Sequence, residues 1–233
     1  MKHLLLCFFT LMVLASCNQR RGSGNIVTEK RNTGDFKGIS VGGAFEVELK
    51  SGPATEVVVE SDDNVIHDIE TKVSGDVLKI RTKNGHGFNN AHFKVFVTAP
   101  EINSLEISGA AHLKAIDELK STRKISFDVS GAGGCKASVD APEVNAEISG
   151  AGNIELSGRT KDYNAEVSGS GDLKSADLKS ESTVVKATGA GSARVHASVR
   201  LKANASGAGN IYYRGGANVE MKTSGAGNIK NEN

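Results

Sequence analysis

The chain has 233 residues and a formal net charge of +1, from 28 Lys and Arg against 27 Asp and Glu; 38% of residues are hydrophobic and 5% aromatic, with no Trp, 27 Gly and 3 Pro. Balanced charge leaves no bulk field to attract phosphate, which excludes a basic nucleic-acid binder, and the shortage of aromatic platforms argues against sugar clefts and base-stacking grooves. The composition is that of a globular chain, neither collagenous nor disordered, with the length of one elongated domain or two small ones.

The first segment reads as an address. Lys2 precedes the apolar run 4–14, which is too short to span a bilayer, and Leu14-Ala15-Ser16-Cys17 follows at once. These four residues resemble a bacterial lipobox. Residues 1–16 are therefore expected to be a lipoprotein signal peptide and Cys17 the lipid anchor of the exported chain, held at a membrane, with the outer membrane as the expected location. The alternative is an ordinary signal peptide cleaved near Ser16. More than one acyl chain makes anchoring stable, so no membrane-spanning helix is expected elsewhere. Residues 17–34 are expected to form a flexible spacer, since 18–25 (NQRRGSGN) is polar and contains glycine. With Cys7 in the leader and Cys17 lipidated, Cys135 has no partner for a disulfide or a Cys-rich metal site.

Residues 35–107 form a β-rich N-terminal section. The runs 45–49 (FEVEL), 56–60 (EVVVE), 77–81 (VLKIR) and 93–97 (FKVFV) predict short strands. Ser40-Val41-Gly42-Gly43-Ala44 is a candidate degenerate corner, 62–70 a short helical turn or loop, and 83–91 (KNGHGFNNA) a Gly/Asn loop.

From residue 108 to the end the sequence repeats itself. SGAA at Ser108 is followed by SGAG at Ser130 and Ser149, SGSG at Ser168, TGAG at Thr188, and SGAG at Ser206 and Ser224, at spacings of 22, 19, 19, 20, 18 and 18 residues. Aligned on the Ser or Thr, the preceding residue is Ile107, Val129, Ile148, Val167, Ala187, Ala205 or Thr223. Five residues after it stand Leu113, Cys135, Ile154, Leu173, Ala193, Ile211 and Ile229. Period two thus holds on both sides of the tetrapeptide, predicting strand, tight glycine corner, strand. A period near 20 residues is too short for a propeller blade and lacks the helical phase of a leucine-rich repeat. It predicts one coil of a parallel β-solenoid, right-handed by the usual crossover preference, with equivalent residues stacked about 4.8 Å apart. An antiparallel meander is the competing topology.

Phe36-Lys37-Gly38-Ile39-Ser40-Val41, then Ala44-Phe45-Glu46-Val47, then Leu78-Lys79-Ile80, then the SGAG series together resemble the head GIN domain family of auto-transporter adhesins, found in secreted lipoproteins of Bacteroidetes. The resemblance implies an all-β, right-handed parallel β-helix. It brings no catalytic, cofactor-binding or metal-binding residues with it.

Candidate chemistry is sparse. Gly38-Ile39-Ser40-Val41-Gly42 matches G-x-S-x-G, but a nucleophile elbow needs a strand-to-helix turn, and a β-turn serine is the simpler reading. The Gly-x-Gly pairs lack the third glycine and helix of a dinucleotide site. Residues following each corner (Gly134, Asn153, Asp172, Ser192, Asn210, Asn228) carry one charge between them, which suits an Asn-rich turn stack better than calcium. His67, His86, His92, His112 and His196 form no metal motif, although His86 and His92 flank one loop. Cys135 falls in an inward position and reads as a buried hydrophobe. Two outward series stand out: Glu106, Asp128, Glu147, Glu166, Lys186, Asn204, Lys222 before the corners, and Lys114, Lys136, Glu155, Lys174, Arg194, Tyr212, Lys230 after them. Either they are a solvated mixed-charge surface or they engage a partner or divalent cation.

The expected function is a non-enzymatic, lipid-anchored envelope protein presenting a β-helical surface, an adhesin or envelope-interaction protein whose partners are the membrane and a protein or glycan ligand. The alternatives are a β-helix enzyme or binding protein acting on extracellular polysaccharide and a structural periplasmic lipoprotein. No cofactor is expected.

Overall fold

The computed structural model describes residues 20–83 and 87–232. The elements run, in chain order, Arg20–Arg21 (β1), Ile26–Arg31 (β2), Gly38–Gly43 (β3), Glu46–Ser51 (β4), Glu56–Asp62 (β5), a 3-10 turn at Ile66–Asp68, Ile69–Ser74 (β6), Val77–Thr82 (β7), Phe88–Asn89 (β8) and Phe93–Ala99 (β9). The repeat section follows with Ser104–Gly109 (β10), His112–Ala115 (β11), Leu119–Lys120 (β12), Ile125–Gly131 (β13), Gly134–Gly150 (β14), Asn153–Gly169 (β15) and Asp172–Gly189 (β16). It ends with Ser192–His196 (β17), Arg200–Gly207 (β18), Asn210–Arg214 (β19), Asn218–Gly225 (β20) and Ile229–Asn231 (β21).

The repeats build a parallel β-solenoid of about seven turns, and the meander is excluded because every pairing among β10 to β21 is parallel and in register with the tetrapeptides. Inward columns form as period two requires. Ile107, Val129, Ile148, Val167, Ala187 and Ala205 stack on one wall, and Leu113, Cys135, Ile154, Leu173, Ala193 and Ile211 on the other, all buried. In the column Leu105, Phe127, Ala146, Ala165, Val185, Ala203, the large Phe127 stands over two alanines, so volume is balanced between neighbouring coils at close-packed density.

The corners explain why the tetrapeptide recurs. Gly43, Gly109, Gly131, Gly150, Gly169, Gly189, Gly207 and Gly225 all have positive φ, from 74° to 127°, where a Cβ is strained. From Gly109 onward the residue after the glycine donates its N–H to the glycine carbonyl of the coil beneath, as in Ala132 to Gly109 and Ala151 to Gly131, both at 2.8 Å. The hydroxyl ahead of the glycine can reach back too: Ser108 Oγ donates to the Val41 carbonyl and Thr188 Oγ1 to the Val167 carbonyl, each at 3.3 Å. The ladder therefore runs unbroken through the bend. Changes in repeat length are absorbed elsewhere. The 20-residue step from Ser168 to Thr188 coincides with a register shift between Glu155 and Ser157 opposite β16, and the 22-residue step with the short strand β12.

The N-terminal section completes the solenoid out of sequence order. Gly42-Gly43 is a true corner, stacked beneath Ser108-Gly109, so β3 and β4 form the coil under β10 and β11. The next coil outward is made by β7 and β9, which come later in the chain and pair parallel to β3 and β4. Antiparallel β6 lies on β7, β5 on β9, and β2 on β5, closing that end as a cap.

Residues 20–34, expected as spacer, contribute β1 and β2 to this cap. Ile26 to Arg31 pair with Asp62 to Val57, and β1 pairs with β8. The polar residues that suggested flexibility act as ligands of the 62–64 loop: Gly24 N donates to Asp62 Oδ1 at 2.6 Å, Ser23 Oγ to Asp63 Oδ1 at 2.5 Å, and Asn25 Nδ2 to Asp63 Oδ2 at 2.9 Å. Arg20 adds an ion pair to Asp68 at 2.8 Å. Among the described residues no helix is long and apolar enough to cross a membrane. Residues 1–16 and the anchor Cys17 lie outside the described residues.

Candidate binding surface

Because successive coils are in register, the outward residues stand in columns. Ser40, Glu106, Asp128, Glu147, Glu166, Lys186, Asn204 and Lys222 form one column on the wall ahead of the corners. It is flanked on one side by Ser104, Ser126, Asn145 and Asn164, and on the other by the corner hydroxyls. Like charges stacked this closely repel. Partial burial, and then the neighbouring Glu106 carboxylate, hold Asp128 above the usual carboxylate range. The acidic run ends where Glu166 meets Lys186 Nζ at 3.7 Å. Between Asn145, Glu147, Asn164, Glu166, Val184 and Lys186 lies a shallow depression of about 220 Å³.

The wall after the corners is mainly basic. Glu48, Lys114, Lys136, Glu155, Lys174, Arg194, Tyr212 and Lys230 are in register. Lys136 Nζ meets Glu155 Oε1 at 2.5 Å, and the Arg194 guanidinium lies over the Tyr212 ring, 4.7 Å from its centroid. The solenoid thus carries an acidic-polar strip and a basic strip on adjoining walls, separated by the glycine corners.

The third side holds an open groove of about 590 Å³ whose lining includes Asp140, Arg159, Lys161, Lys179, Glu181 and His196. Arg159 Nη2 reaches Asp140 Oδ2 at 2.5 Å, which holds that carboxyl below the usual range. Burial, with Lys179 nearby, lowers the His196 pKa, favouring the neutral ring. Beneath it the Ser180 and Thr183 hydroxyls, both buried, converge on the His196 carbonyl, Thr183 at 2.8 Å. One coil away Tyr163 OH donates to Ser175 Oγ at 3.0 Å, and Ser175 Oγ to the Arg194 carbonyl at 2.8 Å. Sequence reading missed this polar seam. Its signal was the interruption of the inward apolar pattern by Ser175, Ser180 and Thr183.

The remaining candidates are dispersed. Ser40 sits mid-strand in β3 and the chain passes from it through a corner into β4, so it occupies no strand-to-helix elbow. His92 Nε2 lies 2.8 Å from Glu60 Oε1, His67 belongs to the 3-10 turn, His112 faces outward, and His86 lies outside the described residues, as does any meeting of it with His92. Among the described residues no group of three His, Cys, Asp or Glu side chains comes together to hold a metal ion. Cys135 is fully buried and its thiol is pushed up to about 12 by loss of solvent. At the position after the corners, Asn228 N donates to Asn210 Oδ1 at 3.2 Å. A buried carboxylate not anticipated from sequence, Asp62, accepts from the Gly24 and His92 amides at 2.6 and 2.8 Å; these bonds lower its pKa.

The profile of the family described as "Putative auto-transporter adhesin, head GIN domain" matches residues 35–217. No curated protein matches the chain. Among solved structures, the chain is similar to a putative adhesin from Bacteroides fragilis NCTC 9343 (TM-score 0.86, 20% identity, 91% of this chain and 99% of that one). It is also similar to a putative lipid binding protein and a putative adhesin from Parabacteroides distasonis ATCC 8503. The former has a TM-score of 0.78 at 22% identity and the latter 0.73 at 24%; each alignment covers 92% of this chain and 100% of the other. At these identities the likeness is one of fold.

Proposed function

This chain belongs to the head GIN domain family of auto-transporter adhesins, and from that premise we propose that it is a non-enzymatic envelope protein, tethered by lipid on Cys17, that binds a protein or glycan through the outer walls of its solenoid. The observation that carries this reading is the register of the outward columns. Eight positions from Ser40 to Lys222 repeat along one wall at a fixed step, which suits a ligand that is itself extended or repetitive. The grooves beside the columns are open and carry both signs of charge, a geometry for surface contact more than for enclosing a small substrate.

The tether is short in this reading. Asn18 and Gln19 alone separate Cys17 from Arg20, where β1 begins, and such a link spans at most about 10 Å. The N-terminal cap would then rest near the membrane.

Fractionation of cells expressing the full chain tests the anchor: the protein is expected with the membranes, and Cys17→Ser in the soluble fraction. Protease shaving of intact cells tests display. Digestion supports the adhesin reading; protection until the envelope is opened would replace it with a structural periplasmic role. Release of reducing ends from envelope polysaccharide would overturn the non-enzymatic assignment.

A further inference from the structure

The two ends of the solenoid are finished differently. Antiparallel β2, β5 and β6 close the N-terminal end, whereas among the described residues β20 pairs only with β18 and β21 only with β19. Column positions that are buried in the coil beneath surface here. Ala203 is 0% exposed, but Met221, stacked on it, is 50% exposed; Leu201 is likewise followed by half-buried Val219 and Ala205 by exposed Thr223.

In a parallel ladder a residue directs its N–H and C=O to the same neighbouring strand, and the next residue directs both to the opposite side. Asn218 N donates to the Val199 carbonyl at 3.0 Å, so residues 218, 220, 222 and 224 face β18. Val219, Met221 and Thr223 therefore aim their backbone groups out of the end of the solenoid.

We propose that this edge is the interface of a two-fold symmetric homodimer, in which β20 pairs antiparallel with β20 of a second copy and Met221 lies opposite the partner's Met221. A two-fold axis passes either through a hydrogen-bonded pair, centred on 219, 221 or 223, or through a non-hydrogen-bonded pair, centred on an even-numbered residue; centres at 220 and 222 set Glu220 against Glu220 and Lys222 against Lys222, and those at 218 and 224 bring neither opposite the other. Centred on 219, Glu220 faces Asn218 and Lys222 faces Gly216; centred on 223, Lys222 faces Ser224 and Glu220 faces Ala226. Only the centre at 221 sets Glu220 opposite the partner's Lys222, and does so twice by symmetry.

These two pairs occupy the non-hydrogen-bonded sites of the antiparallel ladder, where side chains approach most closely. Their charged ends are already exposed and near one another, Lys222 Nζ being 3.9 Å from Glu220 Oε1 within the strand. On the inward side, Met221 closes the core against the partner's Met221, and Val219 meets the partner's Thr223. Methionine suits a seam of this kind because its unbranched chain adapts to an irregular gap. The contact is isologous and the opposite ends are capped, so assembly stops at two.

Charge reversal tests the register. In sedimentation velocity of the full chain in a non-ionic detergent, the wild type is expected to be dimeric. Glu220→Lys and Lys222→Glu are each expected to weaken dimerisation at least tenfold, with circular dichroism unchanged. The double variant E220K/K222E is expected to dimerise again, as is an equal mixture of the two single variants, because both restore opposite charges across the axis. Independently, mild oxidation of Met221→Cys should give a disulfide-linked dimer, the paired Cα atoms of such a site being about 5.5 Å apart, while Thr223→Cys, carrying the same other cysteines, should not. A wild type that stays monomeric up to its solubility limit, single variants that dimerise like the wild type, or a double variant that remains monomeric would each overturn the proposal.

Discussion

A Cβ added to Gly169 would lie 2.4 Å from the carbonyl oxygen of Gly150 in the coil beneath, in a backbone conformation with φ of 113°. The contact cannot relax, because the opposing atom is backbone held in a ladder. Gly169→Ala is therefore expected to destabilise the fold by about 3 kcal/mol or more, from positive-φ strain plus overpacking. Gly216, whose Cβ would meet nothing and whose φ is not positive, is the matched control. Gly216→Ala is expected to be neutral or slightly stabilising, and urea melts of the two variants measure the difference.

The polar seam should respond asymmetrically. Tyr163→Phe removes one hydroxyl and leaves Ser175 bonded to the Arg194 carbonyl, a loss of about 1 kcal/mol. Ser175→Ala strands the buried Tyr163 hydroxyl, while the Arg194 carbonyl keeps its place in the β16–β17 ladder, a loss of about 2 kcal/mol. Equal effects in denaturant titrations would mean that the seam does not act as a chain of bonds.

Electrostatic strain in the acidic column has a definite sign. Asp128 has a raised folded-state pKa, so the protonated form is favoured by folding: the stabilising contribution is complete below the unfolded pKa and is lost as pH rises through the folded one. Asp128→Asn is expected to raise Tm at neutral pH, and the gain should shrink both in acid and in high salt. If magnesium or calcium raises the wild-type Tm and not that of the variant, the column holds a cation.

Asp62 has the opposite sign. Its depressed pKa means that the clamp on Gly24 and His92 is present above the unfolded carboxyl pKa and is lost as pH falls through the folded value. The protection factor of the Gly24 amide, its exchange rate relative to an unstructured peptide at the same pH, should therefore fall in acid, and Asp62→Ala should lower it in the same way at neutral pH.

Cys135 should be silent toward thiol reagents while the protein is folded. Burial both blocks access and raises the thiol to about 12, leaving almost no thiolate at neutral pH. Labelling with a disulfide reagent should follow global unfolding; fast labelling of the native protein would contradict the inward column.

The solenoid itself was legible because its information is local and repeated. Leu113, Cys135, Ile154 and Leu173 share a phase relative to their tetrapeptides, and a fixed step between coils converts shared phase into stacking. The degenerate corner at Gly42-Gly43 and the helical turn near Ile66 were legible for the same reason, each being set by a few adjacent residues. The misreading of 20–34 has an equally physical cause. Ser23, Gly24 and Asn25 are polar and look like linker, yet their partners are Asp62, Asp63 and Asn64, some forty residues away, and no short-range pattern announces such a match.

Sequence alone thus determined the wall composition of this protein: which residues point inward, where the chain bends, and which charges line up on the outside. Tertiary structure decided the two ends. Whether β7 and β9 would insert outside β3 and β4, whether β2 would join a cap, and which strands β20 and β21 would meet depend on pairings between distant segments. Such pairings are chosen by competition among strand edges, and a strand's own alternation says which face it buries but not which edge it meets.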